Sequence, residues 1–180
     1  MIGSGHPSLG LSSDRVTLRQ DHANWAAEFV QEQARICAAL GIRHCDVEHI
    51  GSTAISSLPA KPILDIMVGV DSFESAGEHI APLQRCGYHY RGENGIARRH
   101  YFVKGEPRTH HLHMLEFGSA QWRDQLRFRD LLRADPALAA EYGAEKQRLA
   151  QAFAARRKDY QQAKDALIEG LLARLDAVTR

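Results

Sequence analysis

Residues 47–70 read Val-Glu-His-Ile-Gly-Ser-Thr-Ala-Ile-Ser-Ser-Leu-Pro-Ala-Lys-Pro-Ile-Leu-Asp-Ile-Met-Val-Gly-Val, and the rest of the chain is organised around them. Apolar and β-branched residues dominate Ile63 to Val70, a run long enough for a buried strand and too short for a typical helix. Asp65 breaks it. A carboxylate inside an apolar strand must be paired or bound to a cation, because a lone buried charge costs several kcal/mol or more.

Upstream, Ile50-Gly51-Ser52-Thr53 ends a short apolar strand in a small, hydroxyl-rich turn. Glycine there permits close backbone approach, and exposed N–H groups can receive an anion. A phosphate-sized pocket between this turn and Asp65, with Lys61 entering from the linking loop, is the simplest use of the spacing. Leu58-Pro59 and Lys61-Pro62 keep the linker out of helix.

Glu48-His49-Ile50-Gly51-Ser52-Thr53 followed by Ala60-Lys61-Pro62-Ile63-Leu64-Asp65-Ile66-Met67-Val68 resembles the signature of the GrpB family, a branch of the nucleotidyltransferase superfamily related to DNA polymerase beta. The resemblance continues through Arg98 to Lys104, Thr109 to His113 and Phe128 to Arg133, and so covers nearly everything after Val16. It implies an α/β (α+β) fold: a nucleotidyltransferase-like mixed or antiparallel sheet, flanking helices and a helical C-terminal portion. One domain over residues 16–180 is expected, with C-terminal helices over 120–178 and a flexible leader over 1–15.

The resemblance also implies a reaction, displacement of pyrophosphate from an α-phosphorus, which depends on positioning and charge neutralisation by divalent cations. Asp65 matches the first family carboxylate and is the expected catalytic residue. A second acid usually follows two positions later on the same strand face, yet Met67 stands there. Its thioether is a poor ligand for hard Mg²⁺.

A replacement is offered by Thr109-His110-His111-Leu112-His113, where alternation puts His111 and His113 on one strand face and His110 on the other. With Asp65 they make a candidate two-histidine, one-carboxylate metal site for Zn²⁺, Mn²⁺ or Fe²⁺, with Mg²⁺ disfavoured by ligand softness. Gly51, Ser52, Thr53, Lys61, Arg98 and Arg99 are the candidate phosphate-binding residues. Lys104 and Glu116 read as solvated strand-end residues, and Glu48 and His49 must face opposite ways.

Elsewhere the periodicities predict a helix from Asn24 to Gly41 carrying Trp25, Phe29, Ile36, Cys37 and Leu40, and a strand over Cys45 to Ile50. A second helix from Asp71 or Ser72 to Gly87, bent at Pro82, precedes an extended Tyr88-His89-Tyr90. A hairpin of Ile96–Lys104 with Thr109–Phe117 comes next, then helices from Ala120, from Pro136 to Arg156 and from Lys158 to Ala177. Lys and Arg on the last two read mostly as solvated faces.

The 180 residues carry 23 basic and 22 acidic side chains, a formal charge of +1, so no global field calls for nucleic acid or an anionic membrane. The three cysteines lack a CxxC pair and read as reduced thiols. With no span-length apolar run or signal-like N-terminus, a cytoplasmic location is expected. The expected ligand is a nucleotide or phosphorylated small molecule, with Mg²⁺, Mn²⁺ or Zn²⁺ as cofactor. The family resemblance adds a coenzyme A-pathway protein as a partner, since related domains are joined to dephospho-coenzyme A kinase. Two alternatives to transferase activity are a non-catalytic nucleotide or coenzyme A-related binding module and a metal-dependent phosphohydrolase.

Overall fold

The structure is a computed structural model that describes residues 9–10, 17–43 and 46–178. Most of the expected leader, and Cys45, lie outside the described residues. Five strands form one mixed sheet: β1 (Val47–Ile50), β2 (Leu64–Val70), β3 (Tyr88–Tyr90), β4 (His100–Lys104) and β5 (His110–Glu116), in the order β1-β2-β5-β4-β3. Only the central pair, β2 with β5, is parallel; the others are antiparallel.

Helix α1 (His22–Leu40) lies across one face of this sheet. Its stripe buries Trp25, Ile36 and Cys37 against Val47, Leu64, Ile66, Val68, Phe102 and Leu112. Full burial of each large side chain is worth about 1.5–3 kcal/mol. Asp21, not Asn24, is the residue before the first turn, and Asn24 Nδ2 donates to Asp21 Oδ1 at 2.6 Å. Gly41 stops the helix with φ 68°.

Helix α2 is shorter than the sequence predicts. A 3₁₀ turn occupies Ser75–His79, and α2 proper is Ile80–Arg85, which leaves Pro82 in its first turn, where its missing N–H costs nothing. The expected strand from Ile96 likewise starts only at His100. Asn94, Gly95 and Arg98 have φ of 49°, 83° and 59°, values incompatible with a strand, and Glu93 Oε1 holds the turn by accepting from Arg98 N at 2.6 Å.

The C-terminal third is helical as expected: α3 (Ala120–Ala134), α4 (Pro136–Ala152) and α5 (Arg157–Val178). Ser119 caps α3 by accepting from Trp122 N, and Asp135 caps α4 through Ala137 N and Leu138 N, with Pro136 at the first position. Helix α3 covers the β1 side of the second sheet face, where Trp122 packs on Ile50, Met67 and Leu115. Helices α3, α4 and α5 then enclose Ile55 and Leu58 of the linker in a core of their own. No helix among the described residues is long and apolar enough to cross a membrane.

Candidate functional site

Strand register assembles the site. Parallel pairing sets Asp65 opposite His111 and Met67 opposite His113, while Ile50 faces Asp65 from β1 and Tyr101 faces His113 from β4. Residues directly opposite share a face, so these side chains project together from the side that α3 only partly covers. His111 Nδ1 lies 2.9 Å from Asp65 Oδ1, and His113 Nε2 lies 3.9 Å from the same oxygen.

Gly51 closes the cluster from above. Its φ of 69° suits glycine, and a Cβ there would meet Asp65 Oδ2 at 2.7 Å. The Gly-Ser turn therefore sits directly on the carboxylate. Ser52 begins the following 3₁₀ turn and is half-buried. Thr53 is buried and turned away, its hydroxyl 2.9 Å from His49 Nε2, and His49 stacks on Phe29 of α1 on the opposite face. Glu48 shares the Asp65 face but is held at 2.6 Å by Arg129 of α3. Arg129 also donates to the His49 carbonyl, and Arg133 to the Ala54 carbonyl, so α3 anchors both ends of the turn.

The paired arginines part company. Arg99 stays with the cluster: Nη1 reaches His113 Nδ1 at 3.2 Å, and the guanidinium lies 4.7 Å from the Tyr101 ring centroid. Arg98 turns to Glu74 and Glu116, at 2.9 and 2.7 Å. Lys61 also leads elsewhere, its Nζ 4.3 Å from the ring centroid of Tyr160 on α5. Lys104 does not end in solvent; it crosses to the α1 face and meets the buried Glu32 at 2.6 Å.

Protons can be placed on the imidazoles from these partners. An ionised carboxylate only accepts, so His111 donates from Nδ1 and its lone pair is on Nε2. That Nε2 is buried without a partner. A guanidinium only donates, so His113 accepts at Nδ1 and carries its hydrogen on Nε2. Burial alone would raise the Asp65 carboxyl, but the His111 and His113 imidazoles outweigh it and hold the group well below the usual carboxylate range. Burial also pushes His113 down, favouring its neutral form.

The metal centre expected from the sequence fits this arrangement poorly. Arg99 fixes the His113 proton on Nε2, the atom nearest Asp65, and so denies that nitrogen to a metal, which leaves His111 Nε2 as the one imidazole nitrogen of the pair with a lone pair to offer. Met67 is wholly buried among Ile50, Leu115 and Trp122, and the second carboxylate of this face, Glu48 opposite Met67, is taken up by Arg129, where a two-cation mechanism needs two free carboxylates. Among the described residues, no three His, Cys, Asp or Glu side chains are placed to hold a metal ion.

A second group of polar residues escaped the sequence reading. Lys146 of α4 is only 2% exposed, and Nζ donates to the Pro59 carbonyl at 2.7 Å. The buried hydroxyl of Tyr160 has no hydrogen-bond partner, and that of Tyr142 is turned toward Ser52. The signal was present: Lys146 falls four after Tyr142 and three before Leu149, on the apolar stripe of α4.

Residues 15–174 match the model of the GrpB protein family. The chain belongs to the GrpB family. The UPF0157 protein YqkA of Bacillus subtilis is 41% identical over 146 residues, which are 81% of this chain and 43% of that protein, so the chain spans less than half the length of this relative. The crystal structure of the conserved protein GrpB from Enterococcus faecalis, 38% identical, superposes with a TM-score of 0.75 over 86% of this chain and 92% of that one. A crystal structure of the Cid1 poly(U) polymerase aligns at 14% identity with a TM-score of 0.47, over 72% of this chain and 45% of the other.

Proposed function

We propose that this GrpB-family domain binds a nucleotide or another phosphorylated small molecule against the Gly51-Ser52 turn and transfers its nucleotidyl group to a small-molecule or protein acceptor. The observation that carries the reading is the Asp65–His111 pair, with a buried His111 Nε2 free to accept a proton. In the transfer, an acceptor hydroxyl gives its proton to His111 Nε2 as its oxygen attacks the α-phosphorus. The bond from phosphorus to the bridging oxygen breaks, and pyrophosphate leaves with that electron pair. Asp65 fixes the imidazole tautomer and stabilises the imidazolium. His113, itself held by Arg99 and packed on Tyr101, faces the carboxylate from the far side.

A divalent cation belongs to this chemistry in the resembled superfamily. The test is a thermal-shift panel of nucleoside triphosphates and coenzyme A precursors, each with and without Mg²⁺, Mn²⁺ and Zn²⁺, followed by measurement of pyrophosphate. A ligand shift without metal, with pyrophosphate release lost in Asp65→Asn, supports the reading; a shift that requires metal would restore the two-histidine, one-carboxylate site. Buried Met67 favours a second reading, a binding module for nucleotides or coenzyme A precursors, which predicts ligand shifts and no product.

A further inference from the structure

β1 is an edge strand of the sheet, and along its open side α1 and α3 stand far enough apart to leave a groove of about 390 Å³. That volume is in the range of small-molecule sites. Ala26, Phe29 and Val30 of α1 and Val47 of β1 make its α1 side and floor apolar, while Arg129 and Arg133 line its α3 side. Val30, at 59%, is the most exposed large hydrophobic side chain among the described residues.

Most polar groups of the groove are already answered by protein. Gln33 Nε2 donates to the Val47 carbonyl at 2.8 Å and Arg129 Nη1 to the His49 carbonyl at 3.1 Å, so two carbonyls of the edge strand are taken. The acids are taken too, since Arg129 meets Glu48 at 2.6 Å and Asp130 at 2.7 Å. Arg133 is different. Its Nε donates to the Ala54 carbonyl at 2.9 Å, but Asp130, its ion-pair partner, stands 3.7 Å from Nη1, and neither Nη makes a hydrogen bond among the described residues. With 44% of the side chain exposed, that open fork can be reached from the groove. Burial and the neighbouring Arg129 charge hold Arg133 below its ordinary value, while Asp130 and Glu48 act in the opposite sense. An anion on the fork would offset the repulsion between the two guanidinia.

We infer that this groove binds a free fatty acid of short or medium chain, with its carboxylate on Nη1 and Nη2 of Arg133 and its chain along Ala26, Val30 and Val47. A guanidinium fork meets a carboxylate through two parallel hydrogen bonds, and the apolar side takes the methylenes. Other occupants fit less well. An extended peptide adding to the edge of β1 would need the carbonyls that Gln33 and Arg129 cap, and a zwitterionic amino acid would need an acid for its ammonium where Arg129 holds both. The site lies on the sheet edge, apart from Asp65, and does not depend on the transfer reading. Because Arg133 also holds the Ala54 carbonyl, its occupant sits one side chain away from the Gly51-Ser52 turn.

The probe is sodium octanoate, titrated below its micellar concentration and followed in ¹H–¹⁵N spectra, with hexanoate, octanol and octylammonium for comparison. Saturable shifts are expected at the Gln33 side-chain amide and the Arg133 Nε–H. Octanoate should bind about three- to tenfold more tightly than hexanoate, from the burial of two further methylenes. Octanol, octylammonium and octanoate added to Arg133→Met should each bind about tenfold more weakly, or not at all. Should Arg133→Met fail to fold, Val30→Glu changes only an exposed position, and it should weaken octanoate while strengthening octylammonium. No saturable shift with octanoate, equal binding of octanol, or an affinity unchanged in these variants would overturn the site. Tighter binding of leucine, or of an acetylated peptide ending in leucine, would overturn the fatty acid as its occupant.

Discussion

The two faces of the sheet each hold a deeply placed carboxylate among histidines, and they use it differently. On the α1 face, Glu32 is 1% exposed and closed by Lys104 at 2.6 Å. Burial would raise its carboxyl, but the lysine and the neighbouring His110 reverse the effect and lower it. On the other face, Asp65 has a third of its side chain exposed and is met by an imidazole that keeps an unpartnered nitrogen. A carboxylate answered by a lysine or arginine is finished; one answered by imidazoles remains able to direct a proton. The first arrangement is structural, the second chemical.

The largest expected effect breaks the open face. Asp65→Asn or His111→Ala should lower the rate of nucleotidyl transfer by about 10²–10⁴-fold, the usual range for a positioned acid–base group. Steady-state pyrophosphate release, with circular dichroism to verify folding, makes the comparison. On the closed face, Lys104→Met leaves Glu32 with Arg35 alone, at 3.1 Å and largely exposed, and should lower stability in denaturant titrations by less than the roughly 3–5 kcal/mol of a wholly unpaired buried charge. The double change Glu32→Leu with Lys104→Met should recover most of that loss, because neither charge remains.

Acid should sharpen the contrast. Burial holds His49 and His110, both on the α1 face, down to about 4 from 6.5. Between those values the unfolded chain binds more protons than the folded one, so stability falls as pH falls through that window and is fully retained above it. Each contributes a slope of up to about 1.4 kcal/mol per pH unit. Asp65 contributes little over most of that window: its depressed value stabilises the fold above the unfolded value of 3.8, and that contribution starts to be lost only from about pH 5 downward. Melting temperatures from pH 4 to 7 should therefore lose part of their slope in His110→Gln, the part left belonging to His49 and His113, and should not lose it in Asp65→Asn.

A smaller effect is expected from Gly51→Ala, which forces a side chain into a φ of 69° and against the Asp65 carboxylate. A cost of about 1–3 kcal/mol in stability follows. Transfer should fall more than stability alone explains, because the carboxylate is displaced from His111.

Much of this was legible in the sequence, for local reasons. Asp65 was marked by its apolar neighbours, and period-two alternation alone separated His110 from His111 and His113. The register was not legible: Asp65 meets His111 through a parallel pairing between residues 46 apart, and no local pattern records which strands become neighbours. Arg98 and Arg99 read alike in sequence, yet the positive φ of Arg98 sends the two guanidinia to different partners. Lys104 and Lys146 were hidden by residue type. Lysine is ordinarily solvated, and both are drawn inward by groups on distant segments, Glu32 and the Pro59 carbonyl.

The most direct measurement is the imidazole ¹⁵N NMR spectrum of the metal-free protein, recorded with and without a series of nucleoside triphosphates. His111 is expected as the Nδ1-protonated tautomer and His113 as the Nε2-protonated one. On addition of the nucleotide that binds, the His111 Nε2 signal should move while those of His110 stay in place. A His111 proton on Nε2 in the free protein, or movement at His110 with none at His111, would contradict the assignment of chemistry to the Asp65 face.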